Sequence, residues 1–297
     1  MEEEQGVPNE PDTLVEMCIS YCVNYPDIFT EEDPTYSYDD ILSREDHKAP
    51  PSLKSGLILP INLCDRLLSY YTTNATSAWN PNALYDDIMN IFKDVERTQL
   101  SKAVFRADFG LFYRGIEMLC EHPLRHLELS CCNYCNHTPK TVFVPLKKLA
   151  STLKVLKLWQ KEGCPHCKYE FVTQMLKMQQ DTDILTCKNI QVLSLQNFQF
   201  DGLPDSTSVG TFFCQLLRPL VQLTHLDISG CTLNENHLSF ISDIQNLLYL
   251  NIANINISTS NLKKAVEVII TATKLRYIDM ENYQKYFCYK KKVTTIN

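Results

Sequence analysis

Two cysteine pairs have the spacing that most resembles a chemical site in this sequence. CNYC contains Cys132 and Cys135, and CPHC contains Cys164 and Cys167, each with the two-residue spacing of many zinc sites. Twenty-eight residues separate the pairs, whereas roughly 15 to 20 are usual. Histidines 137 and 166 lie close by as substitute ligands. Zinc binding is one hypothesis for this region.

Catalytic motifs are not evident. Only eight glycines are present, and neither a P-loop nor a GxSxG motif occurs. His122 and His126 in HPLRH are four residues apart, but Pro123 follows the first and the second falls in a predicted strand. No pair of nucleophile and base can be nominated. We therefore expect no enzyme active site and no cofactor.

Composition and charge indicate a globular chain with a distinct acidic head. The 297 residues are 44% hydrophobic and 21% charged, without an apolar run long enough to span a membrane. Residues 1–46 carry a net charge of −13 and the remainder +6, an excess too small to indicate nucleic-acid binding. Thirteen cysteines behind a polar N-terminus suggest a reducing compartment. We expect the cytoplasm, or the nucleus.

A short apolar pattern then repeats through the second part of the chain. It reads LRHLEL, LKVLKL, IQVLSL, LTHLDI, LLYLNI and LRYIDM, with a weaker copy, LSKAVF, at residue 100. The copies begin 24 to 37 residues apart, which is typical of leucine-rich repeats with insertions. Each copy predicts a short strand on a concave wall and a helical return, and only stacked units bury their leucines. These leucines are therefore core residues.

The repeats offer a structural alternative for the cysteines. Cys132 lies three residues after Leu129, where leucine-rich repeats place a buried Asn or Cys, and Cys231 stands likewise after Ile228. Cysteine is among the most often buried residue types. Zinc and burial both remain open here, and we name no metal ligand.

Two helices are predicted ahead of the repeats. TLVEMCISYCVNY, residues 13–25, has apolar residues at helical spacing, and so does LPINLCDRLLSYY, residues 59–71, in which Pro60 occupies the first helical position. Residues 26–56, rich in proline and acid, are predicted as a linker. Residues 81–99 hold a further helical pattern, with Leu84, Ile88, Ile91 and Phe92 on one side.

The first of these helices resembles the elongin C-binding box of cullin-RING ligase substrate receptors. TLVEMC has a hydroxyl residue, a leucine, three other residues and a cysteine, as that box does. The resemblance implies that Leu14 enters a hydrophobic pocket of elongin C and that Cys18 permits close approach. Cys22 stands where the family prefers an aliphatic residue.

The second helix resembles the cullin-2 box, an apolar residue, proline, two others, apolar, three others, apolar. Leu59, Pro60, Leu63 and Leu67 fill that pattern in order. Both boxes ahead of leucine-rich repeats, with phrases such as TQLSKAVFRADF and LTHLDISG, are similar to the Zyg-eleven and Zer-one homologues over roughly residues 13–285. Those proteins are substrate receptors of cullin-2 ubiquitin ligases. The resemblance implies elongin C with elongin B, cullin-2 and a protein substrate as partners.

One departure from that family limits what the resemblance implies. Its members continue into armadillo repeats that read N-terminal glycine, whereas this chain ends at KYFCYKKKVTTIN. Glycine recognition is therefore not carried over. The alternatives are a leucine-rich-repeat scaffold whose N-terminal helices are caps, and an incomplete receptor that competes for elongin and cullin.

The expected fold is α/β, a leucine-rich-repeat solenoid, or horseshoe, behind a helical elongin- and cullin-binding module. We predict the following segments: an acidic tail 1–12, the box module 13–72 with its linker 26–56, a helical connection 73–99, the repeats 100–285 and a basic tail 286–297. Neither nucleic acid nor membrane is expected as a partner.

Overall fold

The structure of the chain, a computed structural model, forms two compact units, Met1–Leu100 and Ser101–Asn297. It describes residues 14–32, 51–74, 89–105, 118–130, 148–160, 188–198, 200, 209–233, 235–255, 261, 263, 266–267, 269–270 and 274–280. None of the helices in these ranges is long and apolar enough to cross a membrane.

The N-terminal unit is built on two helices that contact each other. Helix α1 spans Leu14–Asn24 and helix α2 spans Ile61–Asn74. Pro26 follows α1 closely and begins a single 3-10 turn, Pro26–Ile28. Both helices lie where the apolar spacing predicts them. Pro60 stands just before α2, and its carbonyl accepts hydrogen bonds from the amides of Leu63 and Cys64. Pro60 is therefore the N-cap of the helix and not, as the sequence predicted, its first helical residue.

A small antiparallel sheet replaces part of the predicted linker. Strand β1, Thr30–Glu32, pairs with β2, Pro51–Leu53, and the amide of Lys54 donates to the carbonyl of Phe29 at 3.0 Å. Phe29 and Leu53 are buried. The prediction of a linker over 26–56 was wrong at both ends because these apolar residues pack against their own unit. Residues 33–50 lie outside the described part.

The predicted helix over 81–99 is corrected in its described part. Helical backbone occupies 89–91 and then gives way to turns. Asp94 is the physical reason, because its carboxylate accepts the amide of Glu96 at 3.1 Å and competes with the helical pattern. Ile91 and Phe92 are buried nevertheless, while Leu84 and Ile88 lie outside the described residues.

Arg97 fastens the end of this unit to the segment before α2. Its guanidinium donates to the carbonyls of Leu57, at 2.9 Å, Leu53 and Lys54. The amide of Leu59 donates to the carbonyl of Arg97 at 2.9 Å. The segment that leads into the predicted cullin box is thus held by charge-assisted hydrogen bonds to backbone.

The repeat unit contains a parallel sheet of seven strands in sequential order. The strands are β3 Lys102–Phe105, β4 His126–Ser130, β5 Val155–Trp159, β6 Val192–Gln196, β7 His225–Asp227, β8 Tyr249–Asn251 and β9 Tyr277–Asp279. Every strand begins two residues into one of the seven predicted copies. The leucine-rich-repeat strands are confirmed.

The register of the sheet puts equivalent residues of the repeats side by side. One buried row runs through Ala103, Leu127, Leu156, Leu193, Leu226, Leu250 and Ile278. Its first six members are almost fully buried. Because side chains alternate along a strand, the residues between these leucines line the other face, which we call the open face.

The turn after three successive strands uses a left-handed residue at the same place. Asn197, Gly230 and Asn254 have φ values of 60°, 68° and 59°. Asn and Gly tolerate this conformation better than other residues. At Gly230 an added Cβ would stand 1.9 Å from the side-chain oxygen of Asn197, so close approach also requires glycine there.

Helical segments return the chain between the later strands. Helix α3 spans Val209–Leu217 and a 3-10 segment spans Glu235–Asp243. The rings of Phe213 and Phe240 stack at 4.3 Å between them. Cys231 is buried, and its thiol donates to the carbonyl of Leu195 at 3.0 Å, so the predicted burial of this cysteine is confirmed.

Candidate functional site

Helix α1 exposes an apolar stripe on the side that carries the predicted elongin box. Met17 and Tyr21 are 54% and 58% exposed, and Tyr25, directly after the helix, is 56% exposed with its ring 4.7 Å from that of Tyr21. Cys18 is exposed on the same side, whereas Ile19 is buried. Exposed apolar residues that recur along one helix face are typical of a docking surface.

The three predicted elongin-binding residues are placed differently. Leu14 begins α1, and its side chain lies outside the described part of the structure. Cys18 is exposed, and Cys22 is half-buried. The charge of Cys22 contributes, after burial, to raising the pKa of Tyr71 on α2. Cys22, one turn after Cys18 on the same face, therefore lies at the edge of that face nearest to Tyr71.

The hydroxyl of Tyr71 on α2 is buried near Cys22 of α1. Burial is the first cause of its raised pKa, and its hydroxyl finds no hydrogen-bond partner among the described residues. A buried hydroxyl without a partner loses hydration that nothing replaces. The neutral form is the one that such surroundings favour.

The predicted cullin box is mostly turned into its own unit. Leu67 is 1% exposed and Leu59 is also buried, while Leu63 is half-buried and Pro60 is exposed. The resemblance implies that Leu67 contacts cullin-2, whereas in the structure this residue packs in the core of the N-terminal unit. Burial beside these leucines also raises the pKa of Cys64 to about 12.

The open face of the sheet is the second candidate surface. Its first row runs through Lys102, His126, Val155, Val192, His225, Tyr249 and Tyr277. Its second row runs through Val104, Glu128, Lys157, Ser194, Asp227, Asn251 and Asp279. These rows contain most of the charged and aromatic residues of the strands, so they decide what the sheet can bind.

The early part of this face holds a closed ionic cluster. The Oε1 atom of Glu128 lies 2.7 Å from Nε2 of His126 and 2.8 Å from Nζ of Lys157. The hydrogen bond from His126 is the largest of the causes that lower the pKa of Glu128, which falls to about 2. We call His126, Glu128 and Lys157 the paired cluster. Its charges are satisfied within the sheet.

The late part carries aromatic rings beside carboxylates. His225 and Tyr249 stack at 5.6 Å, and Tyr249 and Tyr277 stack at 4.9 Å with planes only 6° apart. Asp227 and Asp279 lie two positions further along the strands of the first and last of these residues. We call these five residues the aromatic–acidic patch.

Sequence reasoning missed this patch, although its signal is visible in the repeats. In LTHLDI, LLYLNI and LRYIDM the third letter is aromatic or histidine and the fifth is Asp or Asn. Aligning the variable positions by repeat, rather than only the leucines, would have predicted two outward rows in adjacent strands.

The four cysteines of the zinc hypothesis are not among the residues that the structure describes. Cys132, Cys135, Cys164 and Cys167 lie outside the described residues, and so do both neighbouring histidines. Within the described ranges, no group of three or more His, Cys, Asp or Glu side chains could hold a metal ion.

Similarity to known proteins appears in the comparison with solved structures. No protein-family profile matches the chain, and no curated protein matches it. Among solved structures, an internalin C2 (inlC2) of Listeria monocytogenes str. 4b F2365 is similar at a TM-score of 0.35 and 13% identity, covering 88% of this chain and 90% of the internalin. An internalin (inlF) from the same source has a TM-score of 0.32 at 12% identity, over 78% of this chain and 67% of that one.

These similarities carry no inference about function at such TM-scores. The leucine-rich-repeat architecture rests on the seven strands and buried leucines of this chain itself. The resemblance to the Zyg-eleven and Zer-one homologues stays a prediction.

Proposed function

We propose that this chain is a non-catalytic adaptor of a cullin-2 ubiquitin ligase. In this function α1 binds elongin C, the segment around α2 supports cullin-2, and the open face of the repeat sheet holds a protein substrate. The partners carry out the chemistry. The adaptor acts by raising the local concentration of substrate near the ubiquitin-loaded enzyme.

The observation that carries this proposal is the exposed apolar side of α1. A helix that only seals a core would turn its apolar residues inward, as Ile19 is turned. Met17, Tyr21 and Tyr25 instead remain exposed next to Cys18, which is an exposed residue of the elongin box. A partner with an apolar pocket would remove this surface from water, at about 25 cal/mol for each Å² buried.

Co-purification with elongin B/C and cullin-2 tests the proposal. We expect the wild-type chain to capture both, and the Leu14→Ala, Cys18→Ala double variant to capture elongin C roughly tenfold less, as for a central interface residue. Val221→Ala is the matched control, because Val221 is an exposed apolar residue of the repeat unit. Its capture should equal that of wild type.

Folding must be measured beside capture. Circular dichroism and thermal melting of the double variant should match wild type. A folded variant that still captures elongin C at the wild-type level would contradict the assigned role of α1. Cys18→Arg, at an exposed position, gives the same test without shortening a leucine.

A leucine-rich-repeat scaffold without a ligase is the second candidate, favoured by the burial of Leu59 and Leu67. Two of the four cullin-box residues already serve the core of the unit. If wild type captures neither elongin C nor cullin-2, the scaffold is the better description. Capture of both without any ubiquitinated client would instead indicate a competitor.

A further inference from the structure

The aromatic ladder of the late strands leaves the rings at both of its ends, His225 and Tyr277, open to solvent. Tyr277 is the last ring of the described stack and is 43% exposed, while Tyr249 is half-buried between His225 and Tyr277. A tyrosine face carries a negative potential, which attracts lysine and especially arginine side chains. The exposed ladder therefore offers a surface for an apolar stem that ends in a positive charge.

Two carboxylates border this ladder without an opposite charge among the described residues. Asp227 accepts the amide of Gln196 at 2.6 Å, the hydroxyl of Ser194 at 3.3 Å and the backbone amide of Ser229 at 3.0 Å. All three donors are neutral, so they orient the carboxylate and leave its negative charge in place. Asp279 forms no ion pair within the described part of the chain.

The ladder and the two carboxylates lie beside each other on the open face. Tyr249 stands in the row between His225 and Tyr277, and Asn251 separates Asp227 from Asp279 in the adjoining row. The pKa of Tyr249 is raised first by burial and then by the charge of Asp279, with Asp227 as a smaller cause. The negative field of both carboxylates thus reaches the middle of the ladder.

We propose that the aromatic–acidic patch binds an extended basic peptide segment, with two arginine or lysine side chains placed on Asp227 and Asp279. Charge complementarity selects this occupant, because the patch combines exposed ring surface with two carboxylates that form no ion pair within the described part of the chain. This names the substrate class of the adaptor proposed above and rests on that function for its biological meaning.

The sheet also sets the spacing of the cationic residues. Asp227 and Asp279 are two strands apart, which is about 9–10 Å at the usual separation of neighbouring strands. A chain in the extended polyproline II conformation advances about 3.1 Å per residue and returns its side chains to the same side at every third residue. A peptide that crosses the strands therefore matches both carboxylates best when its basic residues are three positions apart.

Fluorescence polarisation with a labelled peptide tests this proposal. The probe is a Gly-Ser peptide with arginine at every third position, and its control carries citrulline at the same positions. We expect the arginine peptide to bind and the citrulline peptide to bind at least tenfold more weakly, about the contribution of a charge-assisted hydrogen bond. Equal binding of the two peptides would overturn the proposal.

Matched variants separate the patch from the general negative charge of the chain, which is −7. Asp227→Asn with Asp279→Asn should weaken binding at least tenfold. Asp243→Asn with Glu96→Gln removes the same charge from two exposed positions elsewhere and should change binding less than threefold, roughly the effect of distant screened charges. Equal losses in both pairs would overturn the proposal in favour of non-specific attraction.

The aromatic contribution is tested at Tyr277. Tyr277→Phe keeps the ring and should bind within about twofold of wild type, whereas Tyr277→Ala should weaken binding several-fold, since cation–π contacts are worth about 0.5–1 kcal/mol at exposed sites. An unaffected Tyr277→Ala variant would contradict the role of the ladder.

Elongin capture distinguishes this inference from the proposed function. The Asp227→Asn, Asp279→Asn variant should capture elongin C as wild type does. If capture by wild type fails while the peptide still binds, the ligase proposal fails alone. If capture holds and the arginine peptide does not bind, the inference about the patch is wrong.

Discussion

The paired cluster and the aromatic–acidic patch lie on the same face of one sheet, in equivalent rows. Glu128 in β4, Asp227 in β7 and Asp279 in β9 all belong to the second row of the open face. Glu128 is buried between a histidine and a lysine, whereas the two aspartates have no ion pair in the described ranges. One backbone position thus supports two different electrostatic states.

The difference shows how a repeat sheet separates stability from binding. One row of apolar residues continues beneath both regions, with leucines in β4 to β8 and Ile278 in β9, so the same backbone carries different outward residues. The carboxylate of Glu128 is paired with His126 and Lys157, so it adds little electrostatic attraction for a partner. Asp227 and Asp279 lie beside the aromatic rings and form no ion pair within the described ranges. Neighbouring repeats therefore differ in function through the variable letters of the motif.

The largest expected effect tests whether the two regions share their core. Leu127→Ala in β4 and Leu226→Ala in β7 should each lower the free energy of unfolding by about 2–5 kcal/mol, because both leucines are almost fully buried in one row. Denaturant melts of the purified chain measure this. A loss confined to one variant would show that the regions differ beneath the surface as well as on it.

A smaller effect separates the two kinds of carboxylate. Glu128→Gln should destabilise the repeat unit by about 1–3 kcal/mol, because it removes the charged acceptor of His126 and Lys157. Asp279→Asn should change stability by no more than about 0.5 kcal/mol, as for a solvent-accessible position. Equal destabilisation by both variants would remove the distinction.

The pH profile sharpens the same contrast. Glu128 has a folded pKa of about 2, below its ordinary value of 4.5, chiefly through the hydrogen bond from His126. A depressed carboxyl pKa contributes stability that is complete above the unfolded value and is lost as pH falls through the folded one. Between pH 4.5 and 2, wild type should lose more stability than Glu128→Gln. Parallel profiles would contradict this.

The sequence predicted the repeats well and the N-terminal unit less completely. Each of the seven strands is specified by a short apolar pattern within its own repeat, and the recurrence of that pattern supports every single assignment. The β1–β2 pair joins segments about twenty residues apart through acids and prolines that do not read as strands. Leu67 satisfies a docking motif and a core pattern equally, because both require leucine at helical spacing.

By itself the sequence determined the strand positions, the buried leucines, both N-terminal helices and the burial of Cys231, because each depends on periodic spacing within one repeat or one turn. Only the tertiary structure decided that Leu67 packs inward and Cys18 outward. It also joined His126, Glu128 and Lys157 into an ion cluster and brought Asp227 and Asp279 to one ladder of rings. The contact of Glu128 with Lys157 and the stacking of Tyr249 on Tyr277 join side chains from different repeats, and spacing within one segment does not specify which side chains meet.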